Sequence, residues 1–431
     1  RSGLLAATLL ATACDTEGDG ISAPLHVTSN APATASANEA FSYQIEIDDA
    51  EGSVSYTLTT GPAGMTVSAN GLVAWTPSTE DLGSASITID IADTLTSVTQ
   101  AFVLDVDQGL FLGVGISPVG HTSSSGNDDF IAQYTSPGET GRVIGFFDPW
   151  RLDVSADGEL SDLTESAFVD AENFDFVPLV ALKWADGFGE GDLTSESEPL
   201  NDTWTNLETR EEFLSVVTEI ATQWQPRYLG LGHETNLYWA THSEAEWEAW
   251  ISEYEACYDA VKAASPETIV FTIFQWEVMK NLGTGTIGWD FGQHFELIDQ
   301  LAEGGKIDAF AFTSFPYFEH ATPGELPDDY YAEIAEHWDG PVLFTEIAWP
   351  AMEHSPFPGS EQDQHDFVAR FFELSSAFDL EQVGWTYQHD WDGEDGALAF
   401  ASIGFRSNDG SAVRAGDSSW ASEIVLRERA D

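Results

Sequence analysis

The sequence predicts a multidomain protein, an all-β sandwich over residues 23–107 followed by an α/β (β/α)₈ barrel over residues 108–431, with residues 1–22 set apart as leader and linker. Three observations predict it. Apolar residues alternate with polar ones at period two through the first segment, and no helical stretch interrupts them. After Asp107, eight short apolar runs recur, several of them separated by amphipathic stretches of period 3.6. No Gly-rich phosphate turn follows the first run, which tells against a doubly wound sheet, the alternative with the same alternation.

The leading segment Gly3-Leu4-Leu5-Ala6-Ala7-Thr8-Leu9-Leu10-Ala11-Thr12-Ala13-Cys14 is a short apolar run, followed by the acidic, Gly-rich Asp15-Thr16-Glu17-Gly18-Asp19-Gly20. Such a run is too short to span a bilayer. It resembles the end of a bacterial lipoprotein signal, although Leu10 stands one place further from the cysteine than usual and the basic start is reduced to Arg1. The resemblance implies a lipid anchor on Cys14 and an extracellular or cell-surface location in a bacterium; ordinary secretion is the alternative.

In the first domain Phe41, Tyr43, Ile45 and Ile47 alternate with polar residues, as do Ile87, Ile89 and Ile91, then Phe102, Leu104 and Val106. Gly61-Pro62-Ala63-Gly64 and Asn70-Gly71 punctuate them as turns. Such alternation predicts an antiparallel sandwich with one buried face per sheet. The stretches Gly61–Ser68 and Gly71–Pro77 are similar to the immunoglobulin-like (Ig-like) domains found beside bacterial surface enzymes, which implies a spacer module, with sugar binding as the alternative.

The eight runs of the second domain are Phe111–Ile116, Arg142–Phe147, Phe176–Leu182, Tyr228–Leu231, Ile269–Phe274, Ile307–Phe312, Val342–Phe344 and Gln382–Thr386. Between them, Phe213, Leu214, Val217, Ile220, Ala221 and Trp224 share one helical face, and Trp247, Trp250, Ile251, Tyr254, Tyr258 and Val261 another. Cys257 falls on the apolar side of the second helix and reads as a small buried hydrophobe. Two cysteines are too few for a disulfide scaffold or a four-cysteine zinc site.

Charge narrows the partners. With 74 Asp and Glu against 14 Lys and Arg, the formal charge is −60, spread along the chain as a solvated surface. Nucleic acid, anionic membrane surfaces and polyanionic substrates would be repelled, which leaves neutral or cationic ligands. An aromatic content of 12% separates the chain from disordered acidic tails. A monomer without cofactor or metal is expected.

In a barrel of this kind chemistry sits where strands end. Run two ends in Asp148-Pro149-Trp150-Arg151, run three in Lys183-Trp184, and run four in Gly232-His233-Glu234-Thr235-Asn236 with Tyr238 and Trp239 beyond. Run five ends in Gln275-Trp276-Glu277, run six in Ser314-Phe315-Pro316-Tyr317, and run seven in Thr345-Glu346-Ile347-Ala348-Trp349-Pro350. Run eight ends in Trp385-Thr386-Tyr387-Gln388-His389 with Asp390 and Trp391 beyond, and His121 follows run one. Two carboxylates, many rings and no phosphate loop or metal-ligand cluster suit a sugar, whose apolar faces stack on Trp and Tyr while its hydroxyls bond polar groups. Trp150, Trp184, Trp239, Trp276, Trp349, Trp391, Asn236, Gln275 and His389 are therefore candidate substrate contacts, with burial in the core the alternative for the tryptophans. Strands four and seven are three apart in a ring of eight, so Glu234 and Glu346 face each other across the mouth, as two-carboxylate cleavage of a glycosidic bond requires.

The barrel resembles the clan of retaining glycoside hydrolases whose acid/base Glu ends strand four and whose nucleophile Glu ends strand seven. The resemblance spans about 110–420 and is sharpest at Leu229–Asn236 and Val342–Pro350. It is nearest to the endo-β-1,4-galactanases and endo-β-1,3-glucanases. It implies Glu234 as acid/base, Glu346 as nucleophile, Tyr317 as a hydrogen-bond donor to the nucleophile, Trp385 as the ring under the sugar, and Arg151 beside the nucleophile. His233 stands where the clan carries an Asn that holds the substrate 2-hydroxyl, so a substrate contact is expected of it. The expected function is retaining, endo-acting hydrolysis of a neutral β-linked polysaccharide or oligosaccharide. The alternatives are a transglycosylase on the same glycans, a non-catalytic glycan-binding surface protein, and a structural adhesion protein.

Overall fold

The computed structural model describes residues 24–37, 39–107, 109–115, 140–147, 162–183, 203–390 and 398–428. Cys14, His121, Trp150, Arg151, Trp184 and Trp391 lie outside them. The chain divides into two compact units, one ending at Val106 and the other beginning at Asp107. No helix among the described residues is long and apolar enough to cross a membrane.

The first unit carries nine strands: β1 (His26–Val27), β2 (Thr34–Ser36), β3 (Phe41–Gln44), β4 (Ile47–Asp48), β5 (Ser55–Thr60), β6 (Thr66–Val67), β7 (Leu72–Trp75), β8 (Gly83–Ala92) and β9 (Ser97–Asp107). They form a sheet in the order β2-β9-β8-β5, a second in the order β3-β7-β6, and the pair β1-β4. Alternation decides the faces. Ile87, Ile89, Ile91, Leu104 and Val106 of the larger sheet share one core with Phe41, Tyr43, Val73 and Trp75 of the smaller.

The second unit is built on eight parallel strands: β10 (Phe111–Gly115), β11 (Val143–Phe146), β12 (Val177–Leu182), β13 (Tyr228–Leu231), β14 (Ile269–Gln275), β15 (Ala309–Ser314), β16 (Val342–Ile347) and, after the hairpin β17 (Met352–His354) and β18 (Phe357–Ser360), β19 (Leu380–Trp385). They close as β10-β11-β12-β13-β14-β15-β16-β19, so each of the eight expected runs forms a stave. Period two again sorts side chains. Phe111, Val143, Leu179, Ala181, Tyr228, Phe271, Ile273, Ala309, Ala311 and Leu343 fill the barrel interior. Their neighbours Leu112, Ile144, Val180, Leu229, Val270, Phe310 and Phe344 point outward under the helices.

The two amphipathic stretches form helices over Leu207–Gln223 and Glu244–Ala264. Asn206 and Ser243 cap them, their side chains accepting from the backbone N–H groups of Glu208 and Glu246. Phe213, Val217 and Ile220 of one and Trp247, Trp250, Tyr254 and Cys257 of the other are buried against the barrel. Burying each large apolar side chain contributes about 1.5–3 kcal/mol.

Candidate active site

Glu234 reaches the mouth because the chain turns sharply after β13. Gly232 (φ 104°) and Glu234 (φ 53°) both adopt left-handed backbone on either side of His233. For a residue with a Cβ this conformation is strained, and such strain is kept where surrounding contacts hold it. Glu234 opens the helix Thr235–Thr241 without capping it. Its Oε1 instead accepts a hydrogen bond of 2.6 Å from the Thr313 hydroxyl on β15.

Glu346 depends on an irregularity in β16. Between β15 and β16, Ala311 pairs with Leu343, Phe312 with Phe344, and then Thr313 with Glu346, so Thr345 is an extra residue. Strict alternation would send Glu346 outward with Val342 and Phe344. The bulge at Thr345 turns it inward beside Thr313, as bulges near functional sites do. Gly384 of β19 makes room, since a Cβ there would stand 2.4 Å from the Thr345 carbonyl oxygen.

Two contacts then tie the carboxylates to one place. Thr313, the register partner of Glu346, bonds Glu234, while His233 Nε2 lies 2.7 Å from Glu346 Oε2. Neighbouring strands are about 4.8 Å apart, so both acids stand over the same end of the barrel. Phe147 after β11 packs on the His233 ring, centroids 5.2 Å apart. On the Glu234 side lies a cavity of about 210 Å³ with walls from Ile287, Trp289, Phe315, Phe318, Phe357 and Phe400.

Several expected contacts fall elsewhere. Trp385 is fully buried, stacked on Phe405 at 4.4 Å and bonded through its indole N–H to the Ile403 carbonyl, so it is core and no sugar platform. Trp349 and Trp276 are likewise buried, packed on Phe367 and on Phe312 respectively. Asn236 is a staple: its amide donates to the Gln275 carbonyl and accepts from the Gln275 N–H. Gln275 borders the cavity beside Glu234, yet its side chain is spent on Glu277 and the Val278 N–H. His389 is buried and its backbone pairs with Arg406. Trp239 is half-buried against His294. Tyr317 is enclosed, and its hydroxyl has no hydrogen-bond partner among the described residues, so the expected bond to Glu346 is not made. Burial pushes that phenol well above its ordinary range, with the charges of Glu277, Tyr387 and Glu346 adding to the effect.

Thr313 escaped the sequence reading, although it continues the inward series Ala309, Ala311 of its own strand. So did the role of Glu277. It is fully buried and accepts from Gln275 Nε2, the Ser314 hydroxyl, the Phe315 N–H and the Tyr330 hydroxyl, at 2.7–3.0 Å. Burial pushes its carboxyl upward against those hydrogen bonds. Glu277 thus anchors the segment directly after Thr313. Beyond β19, Asp390 and Arg414 form a buried bidentate pair that also holds the Ser402 and Gly404 carbonyls. Among the described residues no group of three or more His, Cys, Asp or Glu could hold a metal ion.

Comparison with known proteins bears on each unit separately. The family model "He_PIG: Putative Ig domain" matches residues 23–107. No curated protein matches the sequence. Among solved structures, the exo-β-1,4-mannosidase Op5Man5 from Opitutaceae bacterium strain TAV5 is similar at 13% identity and a TM-score of 0.52, over 73% of this chain and 60% of that one. Xylanase 10B from Thermotoga maritima is similar at 13% identity and a TM-score of 0.51, over 73% of this chain and 95% of that one. The chain therefore spans less than two thirds of the mannosidase. At these identities the likeness establishes the architecture: an Ig-like module followed by a parallel eight-stranded barrel of the TIM type.

Proposed function

We propose that the barrel is a retaining glycoside hydrolase that cleaves a neutral β-linked polysaccharide internally, by double displacement. The observation that carries the reading is the linked pair at the mouth, Glu234 on Thr313 and Glu346 on His233, with Thr313 and Glu346 in register. Retention calls for two carboxyl groups about 5–5.5 Å apart, and Thr313, bonded to one acid and in register with the other, supports a close pair. The fold is shared with a mannosidase and a xylanase, which supports a glycan as substrate.

In the first step Glu346 attacks the anomeric carbon while Glu234 protonates the leaving oxygen; the glycosidic bond breaks and a glycosyl ester of Glu346 forms. In the second, Glu234 takes a proton from water, the hydroxide replaces Glu346, and the sugar leaves with its original configuration. A charge of −60 favours a neutral chain over pectin-like or alginate-like polyanions. Internal attack is supported by Trp150, Trp184 and Trp391, which follow runs two, three and eight in the sequence.

The test is a panel of neutral β-glucans, β-galactans and β-mannans with a reducing-end readout at low and high salt. Glu234→Gln and Glu346→Gln should each lower turnover by about 10³-fold or more, and azide should partly rescue Glu346→Gly. Near-normal turnover in both Gln variants would overturn the reading. Products longer than the input would instead mark a transglycosylase, and single sugars released from chain ends an exo enzyme. The leader further suggests export with a lipid on Cys14, which mass spectrometry of protein from bacterial membranes would detect.

A further inference from the structure

A nucleophilic carboxylate must be held by one oxygen while the other reacts, and in this barrel the hold is an imidazole. His233 Nε2 and Glu346 Oε2 are 2.7 Å apart, with side chains 9% and 11% exposed. Among the described residues Glu346 makes no other hydrogen bond or ion pair, and its Oε1 is not enclosed. The lysines and arginines that form ion pairs there do so with other acids, such as Arg210 with Glu253, Lys280 with Glu333 and Arg414 with Asp390. His233 is itself braced, its backbone by the left-handed residues on either side and its ring by Phe147.

Resting on the reading of Glu346 as nucleophile, we infer that His233 is its positioning residue. The imidazole N–H engages Oε2 and leaves Oε1 as the atom that attacks. The same bond draws the loop after strand four and the end of strand seven together, which couples the placement of the acid/base to that of the nucleophile. His233 thus acts through Glu346, with one ring nitrogen already engaged before substrate arrives.

The test separates donor from ring. His233→Phe keeps an aromatic ring against Phe147 but cannot donate, whereas His233→Gln restores an N–H at similar reach. On a glycan that the wild type cleaves, His233→Phe should lower kcat about 10²-fold, the cost of a misplaced reacting atom, with KM within about threefold. His233→Gln should recover at least a tenth of the wild-type rate. The rate of inactivation by a 2-deoxy-2-fluoro glycoside, which reads formation of the Glu346 ester alone, should fall by the same factor as kcat. Unchanged kcat in His233→Phe, or a loss confined to KM, would overturn the inference. Should His233→Phe fail to fold, His233→Ala with added imidazole decides: rate rising with imidazole supports the role, and no rescue overturns it. Should the wild type cleave no glycan, the functional reading fails by itself. The pairing is then judged from nitrogen-15 spectra, in which Glu346→Ala should abolish a slowly exchanging His233 Nε2–H; no such proton in the wild type would overturn it.

Discussion

The bulge that aims Glu346 can be challenged from the neighbouring strand. Phe344 pairs with Val383 and Ile347 with Trp385, so Gly384 lies opposite the extra residue of β16. A Cβ on Gly384 would stand 2.4 Å from the Thr345 carbonyl oxygen and 3.2 Å from its carbonyl carbon. Reaching 3.0 Å, the lower limit of real Cβ contacts, takes at least 0.6 Å of movement, and the obstacle is backbone rather than a side chain that can swing away. Overpacking of this sort costs about 1–3 kcal/mol. For a unit of this size that lowers the melting temperature by about 2–6 °C. Catalysis should suffer more than stability. A displacement of about 1 Å at a reacting group costs about 10²-fold, so Gly384→Ala should lose about tenfold or more in kcat. Gly285→Ala is the control, because a Cβ there meets nothing within 4 Å. Thermal melts by circular dichroism and initial rates on the cleaved glycan read both effects. If Gly384→Ala melts and turns over like Gly285→Ala, the bulge does not place the nucleophile as argued.

Three further outcomes follow from the same geometry. Thr313→Val removes the donor to Glu234 with little change of shape; a hydrogen bond to the carboxylate left once Glu234 has given up its proton contributes about 1.5–3 kcal/mol, so kcat should drop about tenfold or more while the melt stays near wild type. Glu277→Gln sets an amide N–H against groups that donate to the carboxylate, and denaturant titration should show a loss of about 2–4 kcal/mol. Burial raises the Glu277 carboxyl above its unfolded value, so the folded state binds the proton more tightly. Its contribution to stability is therefore largest below the unfolded value of about 4.3 and declines as pH rises through the folded one, and the wild-type minus variant difference should show that slope. Arg414→Met strands Asp390 in a buried site; a loss of about 3–5 kcal/mol by the same titration is expected, and a change below about 1 kcal/mol would refute the ion pair as a brace for the loop after β19.

Much of the architecture was legible because burial repeats with the geometry of the element. Ile87, Ile89 and Ile91 announce a half-buried strand, and Trp247, Trp250 and Tyr254 a buried helical stripe, whatever they pack on. The two glutamates were legible for a related reason, since each stands at the end of an apolar run. The rim was read less well. Trp385 ends a strand and Trp276 and Trp349 stand one and two residues past one, as platform residues would, but the loop at 398–405 and the helix Glu361–Leu374 fold over Trp385 and Trp349 and turn them into core. Asn236 and His389 have the right polarity for a sugar, yet they are engaged by Gln275 and Arg406, neighbours distant in sequence, while the Gln275 side chain is taken up locally by Glu277 and the Val278 N–H.

Local pattern by itself determined the two-unit order, the eight staves and the two acidic candidates, because periodicity and strand ends are properties of short segments. Only the tertiary structure decided that Glu346 faces inward, that His233 holds it and that Thr313 holds Glu234. The direction of a side chain at a strand end depends on register with its neighbours. Here that register hinges on one extra residue, Thr345, accommodated by a glycine 39 positions later on the adjoining strand.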